Sequence, residues 1–203
     1  MSGVAAIVLA AGQGTRFGGE FKLLADLDGM PVVRRAVDAA LTSTARPIIV
    51  VLGHRRAAVA QTIHDLDVTI VENPGYRDGL STSLKSGFAA LPPEAEAAIV
   101  LLGDMPRVNG SLINRLIDAW RAAERPSAAI PTLGGRRGNP VLLSQALASE
   151  LMNLKGDVGA GGLLRSRSDV LEVETACDAI FQDVDTPEAL TALQLGSNFG
   201  ASI

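Results

Sequence analysis

The segment Leu9-Ala10-Ala11-Gly12-Gln13-Gly14-Thr15-Arg16-Phe17-Gly18-Gly19, with Lys22 just beyond it, has the residue types of a phosphate loop. Glycines let backbone N–H groups converge on an anion, and the cations Arg16 and Lys22 offset its charge. An arginine can clamp phosphate oxygens with two donors, whereas a lysine acts as a point charge. The loop matches neither of two common phosphate motifs. Counted from Gly12 and Gly14, a dinucleotide fingerprint needs a third glycine where Phe17 stands. A Walker loop needs Lys after its last glycine, and here Gly19 leads into Glu20.

Carboxylates offer the second chemistry. Asp104 follows the apolar run Ile99-Val100-Leu101-Leu102-Gly103, at the point where a buried strand would emerge. An Asp there can hold Mg²⁺, a hard cation that takes one or two carboxylates and the phosphates of a substrate. An Asp before Met105-Pro106 equally suits a plain turn. Asp183 and Asp185 alternate, which points both to one side of an extended segment. Helix capping competes for this pair, since Asp185 or Thr186 precedes Pro187.

Three further segments are polar and glycine-rich. Asn73 to Ser83 follows an apolar run and opens a helical pattern, and Gly79 permits a tight turn there. Ser81 and Ser83 place hydroxyls beside the free N–H groups of a helix start, which suits an anion, a base contact or a cap. Arg136-Arg137-Gly138-Asn139-Pro140 would meet a second anionic substrate or form a hairpin turn. Gly156 to Gly162 reads as an anion loop or a flexible start to a helix. His54 and His64 lack metal-site spacing and read as structural, and Cys177 has no His close in sequence to activate it.

The elements that must position these residues alternate between strand and helix. Strands are predicted at Val4–Ala10, Ile48–Leu52, Val68–Val71, Ala98–Leu102, Ala128–Pro131, Val141–Leu143 and Val170–Val173. Helices are predicted over Val32–Leu41 behind Pro31, Arg55–Ile63, Ser81–Leu91, Leu112–Trp120 with Ser111 as N-cap, and Pro187–Leu195. This alternation specifies an α/β three-layer sandwich with a mostly parallel sheet. Ligands of such folds bind outside the carboxyl ends of the strands. The glycine loop, Asn73–Ser83 and Gly103–Pro106 all follow strand ends, so they should converge on one crevice, with Arg136–Pro140 as a wall.

Composition sets the outer bounds. A chain of 203 residues with 47% hydrophobic content suits one domain, here 1–195, followed by a frayed tail at 196–203. A net charge of −4 and only 3% aromatic residues argue against a nucleic-acid partner. A single cysteine excludes an intrachain disulfide and fits a reducing cytoplasm. No signal peptide or membrane span is apparent.

Taken in order, six segments resemble the molybdenum cofactor nucleotidyltransferase family, within the wider Rossmann-like fold of the nucleotide-diphospho-sugar transferases. They are Leu9-Ala10-Ala11-Gly12 through Arg16, Gly18 and Lys22; Asn73-Pro74 with Gly79 to Leu84; Gly103 to Pro106; Arg137 to Pro140; Gly156 to Ala160; and Asp185 to Glu188. The resemblance implies that a nucleoside triphosphate binds along Leu9, Ala10, Ala11, Gly12, Gly14, Asn73, Gly79, Ser81 and Ser83. It implies Mg²⁺ on Asp104 and Asp185, with Lys22, Arg16 and Asp104 catalytic. The acceptor, the phosphate of a molybdopterin-type cofactor, would meet Arg137, Asn139 and Asp157. Leu9-Ala10-Ala11-Gly12 and Asp185-Thr186-Pro187 resemble the cytidylyltransferase branch and favour CTP over GTP. A molybdenum hydroxylase would then receive the product. Two positions depart from the family pattern: the Arg16-to-Lys22 spacing is one residue longer, and Gly161 stands where an Arg is usual. The same scaffold also admits an NAD(P)H-dependent oxidoreductase of a quinone-like dye, with Phe17, Phe21 and Tyr76 as stacking candidates. Transfer to another phosphorylated acceptor, or a non-catalytic cofactor chaperone, would use the same residues.

Overall fold

The computed structural model describes residues 3–14, 17–18, 21–165 and 167–200, with side chains as far as 195. All seven predicted strands are present. They are β1 (Val4–Ala10), β4 (Ile48–Leu52), β5 (Thr69–Glu72), β6 (Ala97–Leu102), β7 (Ala128–Leu133), β9 (Val141–Ser144) and β10 (Val170–Glu174). Together with a short β8 (Arg136–Arg137) they form one sheet in the order β10-β7-β9-β6-β1-β4-β5, with β8 paired to β7. The pairs β1–β4, β1–β6, β4–β5 and β7–β10 are parallel, whereas β9 runs antiparallel to β6 and β7. A separate two-stranded hairpin, β2 (Asp26–Leu27) and β3 (Met30–Pro31), was not expected from the sequence. Its strands are too short to carry a period-2 pattern.

Every residue of β1 is buried, because the strand lies mid-sheet with helices on both faces. Val4, Ala6, Val8 and Ala10 face α1 (Val32–Leu41) and α4 (Gly110–Ala122), where Val33, Ala36, Val37, Leu112, Leu116 and Trp120 complete the core. Ala5, Ile7 and Leu9 face α3 (Leu80–Ala89), α5 (Ala148–Leu151) and α6 (Ala160–Leu164), through Leu84, Phe88, Leu151 and Leu164. A third cluster of Phe17, Ala25, Leu27, Val32 and Val184, with Leu190 and Leu193, anchors α7 (Pro187–Gly200). The remaining helix, α2 (Arg56–Thr62), follows β4.

Two helix limits differ from the sequence reading. The N-cap of α4 is Asn109 rather than Ser111, and its side-chain oxygen accepts from Leu112 N–H at 2.9 Å. Helix α7 spans Pro187–Gly200, longer than the predicted Pro187–Leu195. Residues 201–203 lie outside the described residues.

The sheet order places the topological switch point between the parallel strands β1 and β6. Strands β4 and β5 add on one side of β1, and β6 adds on the other. Side by side, the carboxyl ends of β1 and β6 are in register at Leu9 and Leu102, and Gly103 N–H donates to Leu9 C=O at 2.9 Å. A crevice must open above such a point.

Candidate active site

The crevice is a cleft of about 420 Å³, walled by the glycine loop, the Tyr76–Ser83 segment and Asp104. On its floor, Lys22 Nζ lies 2.5 Å from Asp104 Oδ2 and 2.7 Å from Asp185 Oδ1. Strand β6 delivers Asp104. Asp185 comes from the segment before α7, placed by Val184, which is fully buried and donates its N–H to Asp104 C=O at 2.8 Å. Lys22 opens a short 3-10 turn over Lys22–Leu24. Three elements far apart in sequence therefore meet within hydrogen-bond reach.

These side chains are only 13% (Lys22), 18% (Asp104) and 31% (Asp185) exposed, so their charges interact more strongly than those of a solvated pair. Burial pulls the Lys22 pKa down. The attraction and hydrogen bonds of Asp104, and then of Asp185, outweigh it and hold the ammonium above its ordinary value. Loss of solvent, then the charges of Asp185 and Asp104, raise the Asp183 carboxyl above its usual value. Asp104 Oδ1 is buried with no hydrogen-bond partner among the described residues. A buried carboxylate oxygen left over in this way fits a hard divalent cation, which two carboxylates, water and phosphate oxygens suffice to hold.

Of the residues expected to bind nucleotide, Leu9, Ala11, Gly12, Gly14, Lys22, Gly79, Ser83 and Asp104 line this cleft. Ala10 does not, because it points into the core beneath the loop. Asn73 is buried and acts one step back: its amide donates to Thr82 Oγ1 at 2.8 Å and to Ser83 Oγ at 3.0 Å. Ser81 is also buried, off the cleft, and its Oγ has no partner among the described residues. Arg16 lies outside the described residues. Tyr76, a stacking candidate but not one of the expected nucleotide contacts, lines the cleft together with Arg77, which the sequence did not single out; the Arg77 guanidinium lies 5.6 Å from the Tyr76 ring centre.

The start of α3 differs most from expectation. Its N–H groups are already taken: Leu80 N–H donates to Asp157 Oδ1 at 3.3 Å and Ser81 N–H to Gly156 C=O at 3.1 Å. The Gly156–Gly162 segment is therefore a cap for α3 that leads into α6. Asp157, expected on the acceptor, lines this first cleft, together with the residues expected to bind nucleotide.

A second cleft of about 440 Å³ shares Leu9, Leu80 and Leu102 with the first. Arg137, Asn139, Gly161 and Arg165 line it over an apolar floor that includes Val100 and Ile130. The Arg136–Pro140 segment is at once a hairpin arm and a wall, since β8 pairs with β7 at Thr132 and Leu133. Arg137 is largely committed to the fold: Nε donates to Glu172 at 2.8 Å and Nη1 to Leu164 C=O at 3.0 Å. Among the described residues, Arg165 makes no hydrogen bond or ion pair, and it went unnoticed in the sequence because a lone Arg after two leucines carries no motif.

His54 lies between Phe21 and Tyr76, with ring centres 5.3 and 6.0 Å away. Phe17 and Phe21 are buried at 3% and 4% exposure, so of the three stacking candidates only Tyr76 faces the cleft.

Comparison with known proteins gives a consistent result. The profile of the MobA-like NTP transferase domain matches residues 6–171. The chain is 28% identical over 196 residues to nicotine blue oxidoreductase of Paenarthrobacter nicotinovorans, covering 94% of this chain and 96% of that protein. It is 27% identical over 190 residues to the molybdenum cofactor cytidylyltransferase of Escherichia coli strain K12, covering 93% and 94%. Among solved structures, Rv0371c of Mycobacterium tuberculosis H37Rv in complex with manganese superposes with a TM-score of 0.81 at 26% identity, covering 95% of this chain and 98% of that one.

Proposed function

The chain belongs to the MobA-like NTP transferase domain family and is a nucleotidyltransferase of that kind, and from this premise we propose that it transfers CMP from CTP, with GTP the lesser donor, to the phosphate of a molybdopterin-type acceptor with the help of Mg²⁺. The observation that carries the proposal is the Asp104–Lys22–Asp185 cluster on the cleft floor, with Asp104 Oδ1 buried and unpartnered. Asp104 and Asp185 would hold Mg²⁺, which neutralises charge on the transferring phosphate. The glycine loop presents backbone N–H groups to the triphosphate, and Lys22 lies where its charge can reach the same phosphates. The second cleft orients the acceptor. An acceptor phosphate oxygen bonds to the α-phosphorus, the α–β bridging P–O bond breaks, and pyrophosphate leaves with the electron pair. Orientation and charge stabilisation supply the catalysis, and no covalent nucleophile is needed. Work in the cytoplasm and delivery to a molybdenum hydroxylase belong to the same proposal. Among the described residues, no helix is long and apolar enough to cross a membrane.

Thermal shift with Mg-CTP, Mg-GTP, Mg-ATP, NADH and NADPH, each with and without EDTA, tests the reading. A ligand at a hundredfold its Kd adds about 2.7 kcal/mol, or roughly 5–10 °C for a domain of this size. Stabilisation by Mg-CTP that EDTA abolishes is expected. The similarity to nicotine blue oxidoreductase supports a second reading, NAD(P)H-dependent reduction of a quinone-like dye. Stabilisation by NADPH regardless of metal, with no triphosphate effect, would replace the first reading with this one. Asp104→Ala separates them again: transfer should fall by roughly a thousandfold, whereas a reductase would keep most of its rate.

A further inference from the structure

One ammonium is shared by the two carboxylates assigned above to a divalent cation. Resting on that reading, we propose that Lys22 and the cation compete for the Asp104–Asp185 pair, so that cation binding hands the Lys22 ammonium to the triphosphate and the two ligands bind cooperatively.

Charge argues for the competition. Lys22 Nζ bridges Asp104 Oδ2 at 2.5 Å and Asp185 Oδ1 at 2.7 Å, so a cation held by both carboxylates meets a positive charge already in place. Two like charges in a partly dry site repel strongly. The carboxylates must exchange one for the other or hold both poorly. Asp104 Oδ1 tips the exchange: it is buried and unpartnered, so a cation gains a ligand atom that the ammonium leaves unused.

The displaced ammonium then needs a new anion, because Lys22 is itself mostly buried. Its stem already runs along the phosphate loop. A Cβ built on Gly14 would sit 3.2, 3.5 and 3.8 Å from Lys22 Cγ, Cδ and Cε. Rotation of the side chain alone therefore moves the ammonium between the carboxylates and that loop. Without a triphosphate the exchange strands a buried charge; with one, both cations are matched. Each ligand then raises the affinity of the other by the same factor.

Mn²⁺ is the probe, with free Mn²⁺ followed by electron paramagnetic resonance in the absence of nucleotide. Lys22→Met should bind Mn²⁺ roughly tenfold or more tightly than the unsubstituted protein. Equal affinities for the two proteins would overturn the competition and leave the cation reading intact. If neither protein binds Mn²⁺, alone or with CTP, the cation reading itself fails and this inference fails with it. A second measurement needs no variant. The chain has only three lysines, Lys22, Lys85 and Lys155. After reductive ¹³C-dimethylation, which keeps their charge, the Lys22 methyl signal should move as MgCl₂ is added while the other two stay. A Lys22 signal that does not move while Mg²⁺ saturates the protein would overturn the proposal.

Discussion

An added Cβ on Gly79 would come 2.2 Å from the Gly156 carbonyl carbon, and the Gly79 φ of +104° lies where L side chains are strained. The contact holds two loops together, with Asp157 and Gly156 capping the first N–H groups of α3. Gly79→Ala should therefore cost about 2–4 kcal/mol, the sum of backbone strain and overpacking, as read by urea denaturation. It should also weaken the Mg-CTP thermal shift, because Gly79, Leu80 and Asp157 all line the cleft. A variant as stable as the parent would mean that the loops separate freely. The placement of Asp104 in the cleft was legible because residue type and strand end coincide, and that of Lys22 because it follows a glycine-rich loop. Partner choice was not. Arg137 pairs with Glu172 and Asp157 caps Leu80, 35 and 77 residues away, and only the folded chain decides such pairs.

Elements were legible where burial enforces a pattern. Strands β1 and β4 match their predicted limits because they are buried throughout. The β2–β3 hairpin and α5 were not, since elements of two to four residues show no period, and α6 was read only as one of two alternatives for the Gly156–Gly162 segment. The junction between α1 and the chain after α2 gives a test at this scale. Arg34 on α1 donates to both Asp65 oxygens, at 2.6 and 2.7 Å, and to Thr62 C=O at 2.8 Å. The hydrogen bonds from Arg34 hold the Asp65 pKa at about 2, below its ordinary 3.8. A carboxylate depressed in this way adds stability that is complete above its unfolded pKa and is lost as pH falls through the folded value. The window runs from 3.8 down to about 2. Asp65→Asn should lower the urea midpoint slightly at pH 7, and the gap to the parent should close across that window. A gap that stays constant down to pH 2 would show that the ion pair does not link folding to protons.

At the scale of the molecule, the order of strands does the positioning. Placing β4 and β5 on one side of β1 and β6 on the other opens the crevice where Leu9 and Leu102 end in register. Those two residues line both clefts, so the clefts share one wall yet draw their polar groups from different elements. The first cleft uses Lys22, Asp104 and the start of α3; the second, where we propose the acceptor binds, uses the β8–β9 connection and the end of α6. Of the two arginines there, Arg137 is spent on Glu172 and Leu164, which leaves Arg165 to meet an anion. Its position closes α6, where the carbonyl ends of the helix favour a cation. Arg165→Gln should therefore raise the KM of a phosphorylated acceptor about tenfold, since a hydrogen bond to a charged group contributes roughly 1.5–3 kcal/mol. Asn139→Ala should act in the same direction by a smaller factor. Neither should alter the Mg-CTP thermal shift, because neither side chain lines the first cleft. Steady-state kinetics with each substrate varied in turn, read beside that shift, makes the comparison. If Arg165→Gln weakened CTP as much as the acceptor, the two clefts would act as a single site, and the division of labour between β1–β6 and β8–β9 would be wrong.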